Sequence, residues 1–220
     1  MTNAILFDYD GTLADAREAF AQCYRVAAQK LALTEPSSDD VAPFIGTPVP
    51  VAFQTLFPQA DPALAIAFAS EFQRSADDLM VPMTRMYDGV SDAVRKLHDA
   101  GYKLGIVSQK LHRRLESMLE RDGLSDCFGV VIGGDDMPAF KPDPRGLLIG
   151  IQRMDSTPDE TLFVGDTPID GETARNADVR FIAVTTGVYT GEQLSAYEPV
   201  AILNSVADLP AYLGIETQTT

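Results

Sequence analysis

The sequence is short of cysteine, of basic residues and of long apolar runs, and each shortage narrows what the chain can be. Cys23 and Cys127 are the only cysteines in 220 residues. They are too few and too far apart for a disulfide framework, and no Cys-x-x-Cys occurs. They read as reduced core thiols of a cytoplasmic protein. Lys and Arg number 17 against 32 Asp and Glu, a formal net charge of −15. That deficit excludes nucleic acid and acidic membranes as expected partners, since both demand basic patches. No apolar stretch approaches transmembrane length, and the N-terminus lacks a charged-then-apolar signal sequence. No internal repeat is present, and the polar stretch Glu216–Thr220 reads as a frayed tail. Of the two histidines, His98 and His112, both are predicted on helices away from the loops, as surface residues.

What remains is enough for a buried core. Hydrophobic residues make up 45% of the chain, and its length fits one large domain or a core domain with a smaller insert. The informative stretch is Asn3-Ala4-Ile5-Leu6-Phe7-Asp8-Tyr9-Asp10-Gly11-Thr12-Leu13. Ala4 to Phe7 reads as a buried parallel strand. It ends in two carboxylates that share one side of an extended chain, followed by a glycine that permits a turn. Carboxylates held this close repel unless a cation lies between them or one keeps its proton. They suit a hard-metal site, or a nucleophile beside a general acid. Asp-x-Asp-Gly is also ordinary turn composition, so the rest of the chain must decide.

From Ala14 to Met86 the pattern predicts helices only: Ala14–Leu31, then a break over Pro36–Asp39, then Asp40–Ile45, Pro48–Phe57 and Asp61–Met80. From Tyr87 strands and helices alternate. The expected strands are Lys103–Val107, Phe128–Ile132, Thr161–Val164, Phe181–Thr185 and Val200–Leu203. Asp88-Gly89 is expected to cap a helix that runs through Ala100. This alternation predicts an α/β fold with a doubly wound parallel sheet, built from residues 1–13 and 87–220, with residues 14–86 as a small all-helical insert after the first strand. Ligands of such sheets bind beyond the carboxyl ends of the strands. The conspicuous polar residues all follow strands: Asp8 and Asp10 after the first, Ser108 after the second, Lys141 after the third, and Asp166 and Asp170 after the fourth. They are predicted to gather at one edge.

Four carboxylates against the single cation Lys141 would repel a phosphate. One Mg²⁺ held by Asp8, the Asp10 region and Asp166 would reverse that field, and every available donor is a hard oxygen. Asp8 could then attack phosphorus, with Asp10 protonating the leaving oxygen and later deprotonating water. Ser108 would hold non-bridging oxygens and Lys141 would offset charge.

Asp8-Tyr9-Asp10-Gly11-Thr12, Ser108, Lys141-Pro142 and Gly165-Asp166-x-x-x-Asp170 resemble, in order, the four motifs of the haloacid dehalogenase superfamily of phosphotransferases. The resemblance implies a Rossmann-like catalytic core with a C1-type helical cap, Asp8 as nucleophile, Asp10 as acid/base, and Mg²⁺ as cofactor. It also implies that the backbone carbonyl of Asp10 ligates the metal, with Asp170 a direct or water-mediated partner. Tyr87-Asp88-Gly89-Val90, Ser108-Gln109-Lys110 and Lys141-Pro142-Asp143-Pro144 look like phosphoglycolate phosphatase and its relatives. Gln109 stands where Asn is expected, and Phe140 where Gly often precedes the lysine.

Asp10 favours a phosphatase or phosphomutase over a dehalogenase, which has no leaving oxygen to protonate. The cap loop Gly46-Thr47-Pro48 lacks the Arg that β-phosphoglucomutase-like enzymes tend to carry, so hydrolysis of a small phosphorylated metabolite is the expectation. Pyrophosphatase, mutase, and a non-catalytic binding protein on the same scaffold are the alternatives. Gln109 is a candidate substrate contact, Lys110 is expected in solvent, and Thr47, Gln54 and Arg74 are candidate specificity residues. Met80, Met83 and Met86 are read as packing. Phe44, Phe53, Phe57, Phe68 and Phe72 are expected as the core of the insert rather than a dimer face; monomer and homodimer both stay open.

Overall fold

The computed structural model describes residues 2–215, and the tail Glu216–Thr220 lies outside them. The chain forms two compact units, one of Met1–Ala14 with Met86–Thr220, the other of Asp15–Arg85. Chain order is β1 (Ala4–Phe7), β2 (Ala14–Asp15), α1 (Arg17–Lys30), α2 (Ser38–Val41), α3 (Val49–Leu56), α4 (Leu64–Met83), β3 (Arg85–Met86), α5 (Val90–Asp99), β4 (Lys103–Val107) and α6 (His112–Arg121). β5 (Val130–Ile132), α7 (Arg145–Arg153), β6 (Thr161–Gly165), α8 (Pro168–Asn176), β7 (Arg180–Val184), α9 (Gly191–Ser195), β8 (Ala201–Leu203) and α10 (Leu209–Tyr212) follow.

The larger unit is a six-stranded sheet in the order β5-β4-β1-β6-β7-β8, parallel throughout. Counted along this sheet alone the order is 3-2-1-4-5-6, the doubly wound arrangement, and the connection reverses direction between β1 and β6. β1 is the central strand and is wholly buried, as its unbroken apolar sequence requires. Leu6, Val107, Ile132 and Phe163 pack with Leu147 and Ile151 of α7 to fill one face. Burying side chains of this size contributes about 1.5–3 kcal/mol each.

The smaller unit is organised by aromatic side chains. Phe53, Phe68 and Tyr24 are buried, and ring centroids lie 5.1 Å apart for Phe53–Phe68 and 5.1 Å for Tyr24–Phe72. Phe57 stands 5.2 Å from both Phe53 and Phe68. These rings form the unit's core as expected, whereas Phe44 is only half-buried.

Several local expectations are corrected. The first helix starts at Arg17, not Ala14, because the Asp15 carboxylate accepts the Arg17 amide at 2.9 Å and competes with helix formation before it. Ala14–Asp15 and Arg85–Met86 are instead short strands that form their own two-stranded sheet. Ser37 caps α2 in a reciprocal box with Asp40, so a helix begins inside the expected break. α4 continues past Met80 to Met83: Pro82 has no amide to give, but the Thr84 amide still donates to the Met80 carbonyl at 3.0 Å and closes the last turn. Asp88 does not cap α5; Gly89 occupies that position without a side-chain bond. The helix α9 was not anticipated, although Thr190-x-x-Gln193 is its capping box. Cys23 is buried and Cys127 only half-buried, and both are free thiols. Among the described residues, no helix is long and apolar enough to cross a membrane.

Candidate active site

The parallel register explains why distant residues converge. Asp8 extends the ladder by one residue beyond β1, its amide donating to the Val164 carbonyl at 2.9 Å. Asp166 follows β6 directly, so the two carboxylates leave neighbouring strands at the point where the winding reverses. Ser108 leaves β4 on the other side of β1, its amide donating to Ile132 at 3.0 Å. The expected edge exists.

Oxygens of Asp8, Asp166 and Asp170 lie within 4.8 Å of one another, and all three residues are buried. Lys141 reaches into the group, with Nζ 2.6 Å from Asp170 Oδ1 and 3.0 Å from Asp8 Oδ1. The approach to Asp8 is an ion pair without hydrogen-bond alignment, which leaves Asp8 Oδ1 buried and accepting no hydrogen bond. Asp170 divides its two oxygens. Oδ2 accepts the Thr167 amide and hydroxyl in the box that caps α8, and Oδ1 faces Lys141. A helix cap and a site residue are therefore the same side chain.

Asp166 is held by Thr12 and Gly11 of the first motif and by Gly187, which the sequence did not single out. Thr12 Oγ1 donates to Asp166 Oδ1 at 2.7 Å. The carboxylate lies against Gly11 and Gly187, where a Cβ on either would collide with it. Gly11 also has φ +88°, a second reason for glycine there. Thr186 ties the loop after β7 to this turn by donating to the Gly11 carbonyl at 2.6 Å. The signal was available: Thr185-Thr186-Gly187 is another polar cluster just past a strand.

Asp10 was expected beside Asp8, and it is buried there, but its partner is a correction. Lys110 is not in solvent; its side chain is 2% exposed and its Nζ lies 3.1 Å from Asp10 Oδ2. The site thus has two cations against four carboxylates, rather than one. Ser108 is buried next to this pair, its hydroxyl 3.5 Å from the Lys110 amide. Gln109 is half-buried, with its carbonyl packed against Gly134. His112 is also corrected. It opens α6 rather than lying away from loops, and its Nδ1 is 2.6 Å from Asp136 Oδ2, a carboxylate that also accepts the Gly133 amide. His98 is a surface residue beside Asp99. In the helical unit, Arg74 pairs with Glu71 at 2.6 Å on the surface, Gln54 is exposed and Thr47 half-buried.

The electrostatics follow from one ammonium shared among three buried carboxylates. Burial raises Asp8 to about 6, with Asp170 and Asp10 adding to the shift and Lys141 opposing it. Burial, then Asp170 and Asp8, push Asp166 well above the carboxylate range. Burial pulls Lys141 down, but Asp170 and Asp8 together outweigh it and hold the ammonium above its usual range. Three buried carboxylates that meet a single ammonium, and an all-oxygen donor set, fit a hard divalent cation. The group could hold a metal.

Sheet order and site together define an α/β core of the haloacid dehalogenase type. The sequence model described as Haloacid dehalogenase-like hydrolase matches residues 5–184. The chain belongs to that hydrolase family. It is 31% identical over 213 residues to pyrophosphatase PpaX of Listeria monocytogenes serotype 4a, covering 96% of each chain. A PpaX from Bacillus velezensis is 30% identical over 213 residues, covering 97% of each. The crystal structure of a haloacid dehalogenase-like protein from Bacteroides fragilis superimposes with a TM-score of 0.89 at 32% identity, covering 95% of this chain and 100% of the other. A Haemophilus somnus protein predicted to be a phosphoglycolate phosphatase shares the fold at TM-score 0.87 and 23% identity, covering 96% and 98%.

Proposed function

We propose that this protein is a Mg²⁺-dependent phosphatase that hydrolyses a small phosphorylated metabolite, such as a phosphoglycolate-like monoester, through an aspartyl-phosphate on Asp8. The observation that carries this reading is the buried three-carboxylate group of Asp8, Asp166 and Asp170, with Lys141 against it, at the switch point of the sheet. Asp8, Asp166 and Asp170, with the Asp10 carbonyl, would hold one Mg²⁺, which would supply positive charge against the phosphoryl oxygens.

Asp8 attacks phosphorus, forming the carboxyl oxygen–phosphorus bond as the ester P–O bond breaks. Asp10, as the carboxylic acid, gives its proton to the departing oxygen. Asp10, now a carboxylate, takes a proton from water as that water attacks the phosphorus, and phosphate leaves with Asp8 regenerated. Lys141 offsets the charge that accumulates at Asp8 and the phosphoryl group. Ser108 would donate to a non-bridging oxygen, and Gln109 remains a candidate substrate contact.

The second reading is hydrolysis of inorganic pyrophosphate, supported by the similarity to the pyrophosphatases PpaX. Phosphate release from a panel of phosphorylated metabolites and pyrophosphate, with Mg²⁺ and with chelator, separates the two. Metal-dependent release from one monoester supports the first reading, and preference for pyrophosphate replaces it with the second. Release that is indifferent to chelator on every substrate counts against the metal.

Metal binding has its own readout. At pH 7.5, saturating Mg²⁺ is expected to raise the melting temperature of the chelator-treated protein by roughly 5–10 °C, since a ligand at a hundred times its Kd adds about 2.7 kcal/mol. At pH 5 the shift shrinks, because Asp8, at about 6, must first release a proton. An equal shift at both pH values, or none, argues against this ligand group.

A further inference from the structure

We infer that Lys110 is the positioning residue of Asp10: it occupies Oδ2 and so leaves Oδ1 as the oxygen that exchanges a proton with the substrate. Two independent observations meet here. Lys110 Nζ stands 3.1 Å from Asp10 Oδ2, with the two side chains 2% and 8% exposed. Asp10 Oδ1 is equally buried and accepts no hydrogen bond. A carboxylate with one oxygen in a charge-assisted contact and the other unpartnered has a defined orientation, and only one oxygen is open for chemistry.

The lysine is anchored at its base as well as at its tip. Its carbonyl accepts the Gly134 amide at 2.9 Å, and its own amide points to Ser108 Oγ at 3.5 Å. The turn that presents Ser108 thereby also presents Lys110, so the β4–α6 connection contributes two site groups. A long lysine stem has several rotatable bonds, and fixing both ends removes the freedom that would otherwise blur Asp10. General acid catalysis depends on such geometry, because proton transfer requires hydrogen-bond reach in the transition state.

This inference rests on Asp10 being the acid in the reading above, and the leaving group tells the two apart. A proton donor matters most when the departing oxygen is a poor leaving group. The experiment measures kcat and KM of wild-type, D10N, K110M, K110R and D10N/K110M holoenzymes with an alkyl phosphate and with p-nitrophenyl phosphate. D10N is expected to lower kcat for the alkyl ester by roughly 10²–10⁴-fold and much less for the aryl ester. K110M is expected to show the same selectivity at about 10²-fold, in kcat rather than KM, with K110R recovering part of it. The double variant should lose little beyond D10N alone, as expected for residues acting as a unit.

If D10N itself shows no dependence on the leaving group, the acid assignment fails. If D10N shows it but K110M loses activity equally on both esters, or loses none, Lys110 does not act through Asp10. Should K110M not fold, K110R decides: a displaced charge is expected to cost alkyl more than aryl turnover, and an equal cost on both overturns the inference.

Discussion

Replacing Lys141 with methionine is expected to cost both folding and turnover, because it strands three buried carboxylates at once. Asp170 loses its contact at 2.6 Å and Asp8 its contact at 3.0 Å, while Asp166 keeps the Thr12 hydroxyl. Methionine keeps an unbranched stem and removes the charge, including the ammonium that stands 5.6 Å from the centroid of the Phe163 ring. Breaking a buried ion pair by deleting one partner costs about 3–5 kcal/mol. For a chain of this length that is a fall in melting temperature of about 10 °C in chelator. Mg²⁺ should restore part of the stability, since it addresses the same carboxylates, but not the activity. Loss of the charge that offsets the phosphoryl group is expected to lower kcat/KM by at least about 10²–10³-fold. Thermal denaturation with and without Mg²⁺, beside steady-state kinetics, checks both halves. A melting temperature within about 2 °C of wild type in chelator would remove Lys141 as the cation that holds this cluster together.

The Asp8→Asn variant should do the opposite to stability while abolishing turnover. The proposed nucleophile is gone, and a loss of roughly 10⁴-fold or more is expected in phosphate release. Yet Asp8 is costly to the metal-free fold at neutral pH. Burial raises it to about 6, above the 3.8 of an ordinary aspartate, so the folded state binds the proton more tightly than the unfolded one. Its contribution is therefore fully favourable below about pH 4 and is lost as pH rises through about 6. The gap corresponds to about 3 kcal/mol of charge cost above that pH. Asparagine carries no charge to bury. In chelator at pH 7.5 the variant should melt several degrees above wild type, and near pH 4 the difference should close. Melting curves across that pH range, paired with an activity assay, are the check. A variant destabilised equally at both ends would mean that the amide breaks contacts worth more than the charge it removes. A variant that still releases phosphate at near wild-type rates would rule out Asp8 as nucleophile.

These two substitutions separate what the site needs for chemistry from what the fold tolerates. A carboxylate cluster with too few cations is expected to cost stability in chelator and to gain it with a divalent ion, a trade common where function requires buried charge.

The sequence by itself determined where the candidate site residues lie in the fold. Asp8 and Asp10 announce themselves because an apolar strand stops at two acids and a glycine, and period-two geometry places them together. Ser108 and Asp166 were legible for the same local reason, each lying just beyond an apolar run, and Asp170 follows in the first turn of the next helix. Alternation of strands and helices was enough to predict a parallel sheet and to place these residues at its carboxyl edge. The tertiary structure decided who pairs with whom. Lys110 reads as a solvated lysine in Ser-Gln-Lys-Leu, and only the adjacency of β4 and β1 carries it to Asp10, a hundred residues away in the chain. Thr12 and Gly187 meet Asp166 because β1, β6 and β7 are neighbours, and His112 meets Asp136 because β4 and β5 are. The same is true of β2 and β3, two residues each, which have no periodicity to read and exist only as a pair. Local sequence fixes where a strand ends and what its next side chain can do; strand order, set by packing of the whole core, fixes which charge neutralises it.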